Sequence, residues 1–160
     1  ARSIGYPRWM RTLKQGLQRN VTVAERLILE ITESSAMTVP ELVISFMSEI
    51  QAKGVSFALD DFGAGYTSFS YLRDFYFDII KIDGQFIRGI AQNPDNQVLT
   101  SALKAIADQF DMLTVAEFVE NGEDAAFLAK IGIDCLQGYY FAAPTISPIW
   151  ERAPESERRA

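Results

Sequence analysis

Apolar runs of strand length recur at residues 27–32, 55–61, 78–83, 113–119 and 134–141, and a helical pattern separates each from the next. Residues 40–53 predict an amphipathic helix with Pro40 in its first turn and Gly54 as its stop. Residues 68–73 predict a shorter helix. Residues 94–110 predict a longer one with Leu99, Leu103, Ile106 and Phe110 on one face, and 123–131 one that ends at Gly132. A further helix, 7–19, precedes the first strand and leads into Asn20. Strict alternation of this kind implies parallel strands with crossover helices, hence an α/β architecture. From Trp150 the pattern stops, and residues 151–160 are charged, lack apolar anchors and read as a polar tail.

Polar residues break the strands at a consistent depth. Glu30 and Thr32 fall late in the first, Asp60 and Asp61 end the second, and Lys81 and Asp83 close the third. Glu117 closes the fourth, and Gln137 precedes Gly138 in the fifth. Charged groups inside apolar strands are costly unless paired, so their register suggests one shared site, which in parallel α/β barrels lies at the C-terminal face. Each residue also has a private explanation. Lys81 could pair with Asp83 or extend to solvent, Glu30 could meet a helix, and Gln137 could satisfy backbone. Asp60 and Asp61 read either as a divalent-metal site or as a turn in which one of them caps the next helix. Side chains alternate along a strand, so both acids serve one site only if the extended run breaks there, which Gly63 and Gly65 permit.

Composition narrows the chemistry. The 160 residues suit one domain, carry a formal charge of −6 and contain no run of Lys or Arg. That disfavours a nucleic-acid duplex or an anionic membrane as partner, and an anionic small ligand would need a metal. No window reaches the apolar length of a membrane span and no signal peptide opens the chain, so a soluble, cytoplasmic domain is the simplest expectation. Cys135, the only cysteine, rules out an intrachain disulfide and reads as a buried, inert thiol. Histidine is absent, which excludes Ser-His-Asp and Cys-His nucleophile systems and His-ligated zinc. Glu30, Asp60, Asp61 and Glu117, with Lys81 and Gln137, make an oxygen-ligand set suited to Mg2+ or Mn2+. Two such ions clamped by shared acids serve in-line phosphoester hydrolysis, with Lys81 steadying the attacking water or the developing charge.

The segments Leu29-Glu30-Ile31-Thr32-Glu33-Ser34, Asp60-Asp61-Phe62-Gly63-Ala64-Gly65-Tyr66, Ile80-Lys81-Ile82-Asp83, Val115-Ala116-Glu117 and Gln137-Gly138-Tyr139-Tyr140-Phe141 resemble the successive signatures of the EAL family. These are bacterial cyclic di-GMP phosphodiesterases with a TIM-barrel fold. The resemblance covers residues 1–149, leaving 150–160 as the tail. It implies Glu30 and Asp60 as ligands of one metal, Asp61 and Glu117 near the second, Lys81 on the attacking water and Gln137 close to water or substrate. It also implies that Glu33 tethers the loop containing Gly63 and Gly65, coupling dimerisation to activity. The implied substrate is cyclic di-GMP, opened to linear pGpG.

Two departures bear on that carry-over. The Glu-Ala-Leu motif and the ligand asparagine of the following strand are not in this chain, and Ala1-Arg2-Ser3 resembles the residues just after that asparagine. Phe118 stands where the family usually has glycine, and it either crowds the metal pocket or fills core, the latter favoured by strand alternation. The expectation is therefore a partial TIM (β/α) barrel of the EAL type with its first strands missing, part of a longer protein that carries upstream sensory or GGDEF-type domains. A homodimer or swapped assembly would cover its edges. The expected activity is that of a two-metal phosphodiesterase impaired in this stretch, with a catalytically silent cyclic di-GMP sensor or interaction module as the alternative.

Overall fold

The computed structural model describes residues 3–19, 21–65 and 69–146, the side chains of Val21 and Ser70 excepted. Asn20, Tyr66, the start of the expected 68–73 helix and the 150–160 tail lie outside them. Helices α1 (Pro7–Arg19) and α2 (Val21–Ala24) lead into strand β1 (Ile28–Thr32), followed by α3 (Glu33–Thr38), α4 (Pro40–Gln51) and β2 (Ser56–Phe62). A 3-10 segment (Phe69–Arg73) leads to β3 (Ile79–Ile82), α5 (Gly84–Ile87) and a second 3-10 segment (Ile90–Gln92). Then come α6 (Pro94–Gln109), β4 (Leu113–Ala116), α7 (Gly122–Lys130) and β5 (Cys135–Leu136).

Among the described residues the five strands are all parallel and lie in chain order, β1-β2-β3-β4-β5. Sequential order without a reversal is the winding of a (β/α) barrel rather than of a doubly wound sheet, so the fold is α/β with a barrel sector. One face of the sheet carries Ile31, Phe57, Leu59, Ile80, Ile82 and Ala116, all buried in the common core with Phe46 of α4 and Leu103 of α6. Alternation therefore turns Ile28, Glu30, Ala58, Asp60, Ile79, Lys81, Leu113, Val115 and Cys135 to the other face, the barrel's lumen wall. That wall is open here: Ile28 is 50% and Leu113 54% exposed. Cys135 is exposed with it, contrary to the buried thiol expected from its apolar neighbours, because its side falls on the lumen face of the terminal strand of this sheet.

Several elements differ from the pattern-based reading. Residues 113–119 give a strand only as far as Ala116, because Phe118 takes φ 56°, which ends extension. The expected strand 134–141 is reduced to Cys135–Leu136; beyond it the chain turns, Tyr140 N–H donating to Val119 O at 3.0 Å. On α6 the buried stripe is Thr100, Leu103 and Ala107, while Leu99 and Phe110 are exposed. The extra apolar residue Val98 leaves the register of that stripe ambiguous from sequence alone. Helices α3 and α5 had no apolar periodicity to announce them, but each has a cap signal: Thr32 accepts from Ser35 N–H and Asp83 from Gln85 N–H at 2.8 Å.

Asp124, at the start of α7, is buried and accepts from Gly89 N–H and Ala91 N–H at 2.9 Å each and from Asn121 Nδ2 at 2.8 Å. It thereby pins the turn after α5 to α7. Asp124→Ala leaves the partly buried backbone N–H groups of Gly89 and Ala91 without their acceptor and is expected to cost about 2 kcal/mol of unfolding free energy. Asp124→Asn should recover part of it; a urea titration showing no loss for alanine would contradict this role.

Candidate metal centre

The C-terminal ends of β1 to β4 converge on one ammonium. Lys81 Nζ donates to Asp60 Oδ1 at 2.8 Å and to Glu30 Oε2 at 3.2 Å, and lies 2.9 Å from Glu117 Oε1. The partners come from three different strand ends, which register explains: Glu30 pairs across to Ala58 and Thr32 to Asp60, and Lys81 to Val115. Lys81 does not pair with Asp83, which caps α5 instead. Glu30 meets this lysine rather than a helix.

The two adjacent aspartates do reach one place. Strand β2 shifts register against β3 between Leu59 and Phe62, and Asp61 itself sits in the left-handed region at φ 57°. The break thus falls on the second acid, two residues before the first glycine. Asp tolerates this conformation better than most residues because its short side chain bonds locally. Asp60, Asp61 and Glu117 each offer a carboxylate oxygen within 4.8 Å of the others.

These acids repel one another. Burial raises the Glu117 carboxyl above its ordinary value, Lys81 opposes that rise, and Asp60 and Asp61 add to it. Burial likewise raises Asp61, with Asp60 and Asp83 contributing and Lys81 opposing. Burial alone would lower Lys81, but the bonds to Asp60, Glu117 and Glu30 outweigh it and hold the ammonium above its ordinary range. One lysine does not neutralise the cluster. A divalent cation at the converging oxygens would lower both raised carboxyls, so the donor set fits a hard metal.

A second carboxylate organises the loop that follows. Glu33, buried at the start of α3, accepts from Gly63 N–H at 3.2 Å and from the Tyr71 hydroxyl at 2.9 Å. It also packs under Gly65, where an added Cβ would lie 3.4 Å from its Oε2. One carboxylate therefore holds both ends of the segment between Gly63 and Tyr71. Tyr71 escaped the sequence reading because it sits in a short 3-10 segment whose apolar pattern signals only packing.

Beside Glu117 a cleft of about 260 Å³ is lined by Arg88, Phe118, Glu120, Gln137 and Tyr139. Gln137 thus faces the same cleft as Glu117. Phe118 neither fills core nor displaces Glu117 from Lys81: its ring is 46% exposed, rests on Gly84 and lies under the Arg88 guanidinium at 4.2 Å. A Cβ at position 84 would come within 2.4 Å of that ring, so only glycine fits beneath it. The left-handed backbone at a bulky residue costs roughly 1–2 kcal/mol, which surrounding contacts must offset.

The sequence profile of the EAL domain matches residues 1–144. The chain belongs to the EAL domain family. Among curated relatives, the EAL domain described here is 39% identical over 140 residues to the cyclic di-GMP phosphodiesterase PdeR of Escherichia coli K12, covering 88% of this chain and 21% of that protein. Among solved structures it superposes on a PaMucR phosphodiesterase in complex with c-di-GMP with a TM-score of 0.81 at 31% identity, covering 89% of this chain and 58% of that one. It also resembles Klebsiella pneumoniae BlrP1 in a manganese and cyclic di-GMP complex, with a TM-score of 0.77 at 27% identity, covering 87% of this chain and 36% of that one. The chain thus spans about a fifth of the length of the PdeR relative.

Proposed function

We propose that this EAL domain forms part of a phosphodiesterase that opens cyclic di-GMP to linear pGpG. The observation that carries the reading is the convergence of Asp60, Asp61 and Glu117 around Lys81 at the strand ends, which suits metal-assisted attack on a phosphodiester. Mg2+ or Mn2+, two ions in the complete site, would supply the activated water and charge stabilisation. Glu30 and Asp60 would hold one ion, Asp61 and Glu117 the other. In the reaction the water oxygen bonds to phosphorus, the bond from phosphorus to one ribose oxygen breaks, and that oxygen takes up a proton. Lys81 is placed to steady the water and the phosphoryl oxygens, and Gln137 to contact water or substrate from the cleft. Glu33 would keep the Gly63 and Gly65 loop in register with Asp61 and, in a homodimer, link that loop to the partner subunit.

The proposal extends to organisation: residues 1–149 as the C-terminal part of an EAL domain, within a protein bearing further domains and acting in the cytoplasm. No helix among the described residues is long and apolar enough to cross a membrane. A second reading, a silent sensor that binds the dinucleotide without opening it, draws on Lys81 already bridging three of the acids. The test is Mn2+-dependent conversion of cyclic di-GMP by this chain and by a version extended upstream, each beside its Asp61→Asn variant. We expect pGpG from the extended version, less from the chain itself, and none after Asp61→Asn. Calorimetric binding without product would move the assignment to the sensor, and neither binding nor product from either version would overturn both.

A further inference from the structure

We propose that Arg88 orients the ligand of this EAL domain by offering the face of its guanidinium to a nucleobase; the inference rests on the cyclic dinucleotide reading above. Among the described residues Arg88 is the one cation lining the cleft that opens from Glu117, and its side chain is half exposed there. Lys81, by contrast, has its charge matched by three carboxylates. The cleft's other large walls, Phe118 and Tyr139, are aromatic and exposed, which suits a flat heterocycle better than a second phosphate.

The guanidinium is held in place before any ligand arrives. Phe118 lies under it at 4.2 Å, and the ring itself is seated on Gly84. The backbone immediately after Arg88 is pinned by Asp124 through Gly89 N–H and Ala91 N–H. Glu120 approaches the Arg88 Nε only to 3.7 Å, an attraction without a hydrogen bond, so it steers the group without committing that donor. A planar, delocalised cation stacked on one side by a phenyl ring presents its opposite side for a second stacking partner. Nucleobases use arginine planes in this way, and the same group's edge can donate to purine acceptors. The left-handed backbone of Phe118 is what brings the ring beneath Arg88 instead of continuing the strand, which gives that strain a purpose.

The experiment compares Arg88→Ala and Arg88→Lys with the unaltered protein, using cyclic di-GMP and cyclic di-UMP as probes and Mn2+ binding by electron paramagnetic resonance as a control. Stacking on one base predicts that Arg88→Ala raises KM for cyclic di-GMP about tenfold or more with kcat within about twofold, and that it narrows the preference for the purine ligand. Arg88→Lys keeps the charge but loses the plane and should not rescue, while Mn2+ affinity stays unchanged in both. If turnover is too slow to measure, the same comparison is made by calorimetric binding with Ca2+ present. Full rescue by lysine would show that only charge matters and overturn the proposal, as would equal losses for both dinucleotides or weakened Mn2+ binding. Unaltered protein that neither binds nor opens cyclic di-GMP would bring down the functional reading and this inference together. Normal ligand binding by Arg88→Ala would bring down this inference alone.

Discussion

Lys81→Met is expected to lower cyclic di-GMP hydrolysis by about 10²–10³-fold, the usual cost of deleting a preorganised group that meets developing charge. It should also destabilise the metal-free protein by about 2–3 kcal/mol. The ammonium bridges Glu30, Asp60 and Glu117, and its removal leaves carboxylates facing one another at the end of a buried strand. Breaking a buried ion pair from one side costs several kcal/mol, tempered here by the exposure of Glu30. The distinguishing result is the response to metal. Mn2+ should restore much of the variant's stability, because a divalent ion supplies the positive charge that the lysine no longer does, yet turnover should stay low. Urea titrations with and without Mn2+ read the first effect and product formation the second. Stability unchanged in metal-free buffer would show that the cluster does not need its lysine.

Glu33→Ala is expected to weaken Mn2+ binding by about 10- to 100-fold, the scale seen when a group that orients metal ligands is lost. The carboxylate is buried and holds Gly63 N–H and the Tyr71 hydroxyl, so its loss frees both ends of the segment that follows Asp61. Asp61 is in a left-handed conformation that its own propensity does not enforce, and the loop must keep it there. Tyr71→Phe removes only the hydroxyl's bond and keeps the ring packed edge-on against Phe75, so its effect should be smaller and largely absent when Glu33 is already alanine. Resonance-detected Mn2+ titrations of the two single variants and the double variant measure this. Additive losses would mean that Tyr71 acts independently of Glu33.

The strand ends were legible because an acid or lysine closing an apolar run has few ordinary explanations, and Glu30, Asp60, Lys81 and Glu117 all meet. Which acid takes the lysine was not legible. Asp83, two residues away and on the same strand face by simple alternation, is the partner that sequence proximity offers, and only the parallel register and the cap on α5 send the lysine to Asp60 instead. A break at the two acids follows from the need to bring both to one site, but that Asp61 itself carries the left-handed backbone is not legible, because an aspartate that adopts it leaves no mark in the pattern as a glycine does. Cys135 misled for a related reason: an apolar neighbourhood in sequence says nothing about which face of a sheet is covered. Arg88 and Tyr71 lie on connecting segments, where position depends on tertiary contacts that no local period encodes.

The missing Cβ at position 84 also ties two distant positions into a shared history. A ring at 118 fits only over a bare backbone at 84, so a lineage gaining the phenylalanine must already have a glycine there, while the reverse order passes through a protein with a clash beside Glu117. Sequences with a side chain at the first position and an aromatic ring at the second should therefore be rare among related proteins, whereas glycine at the first position is free to occur without the ring.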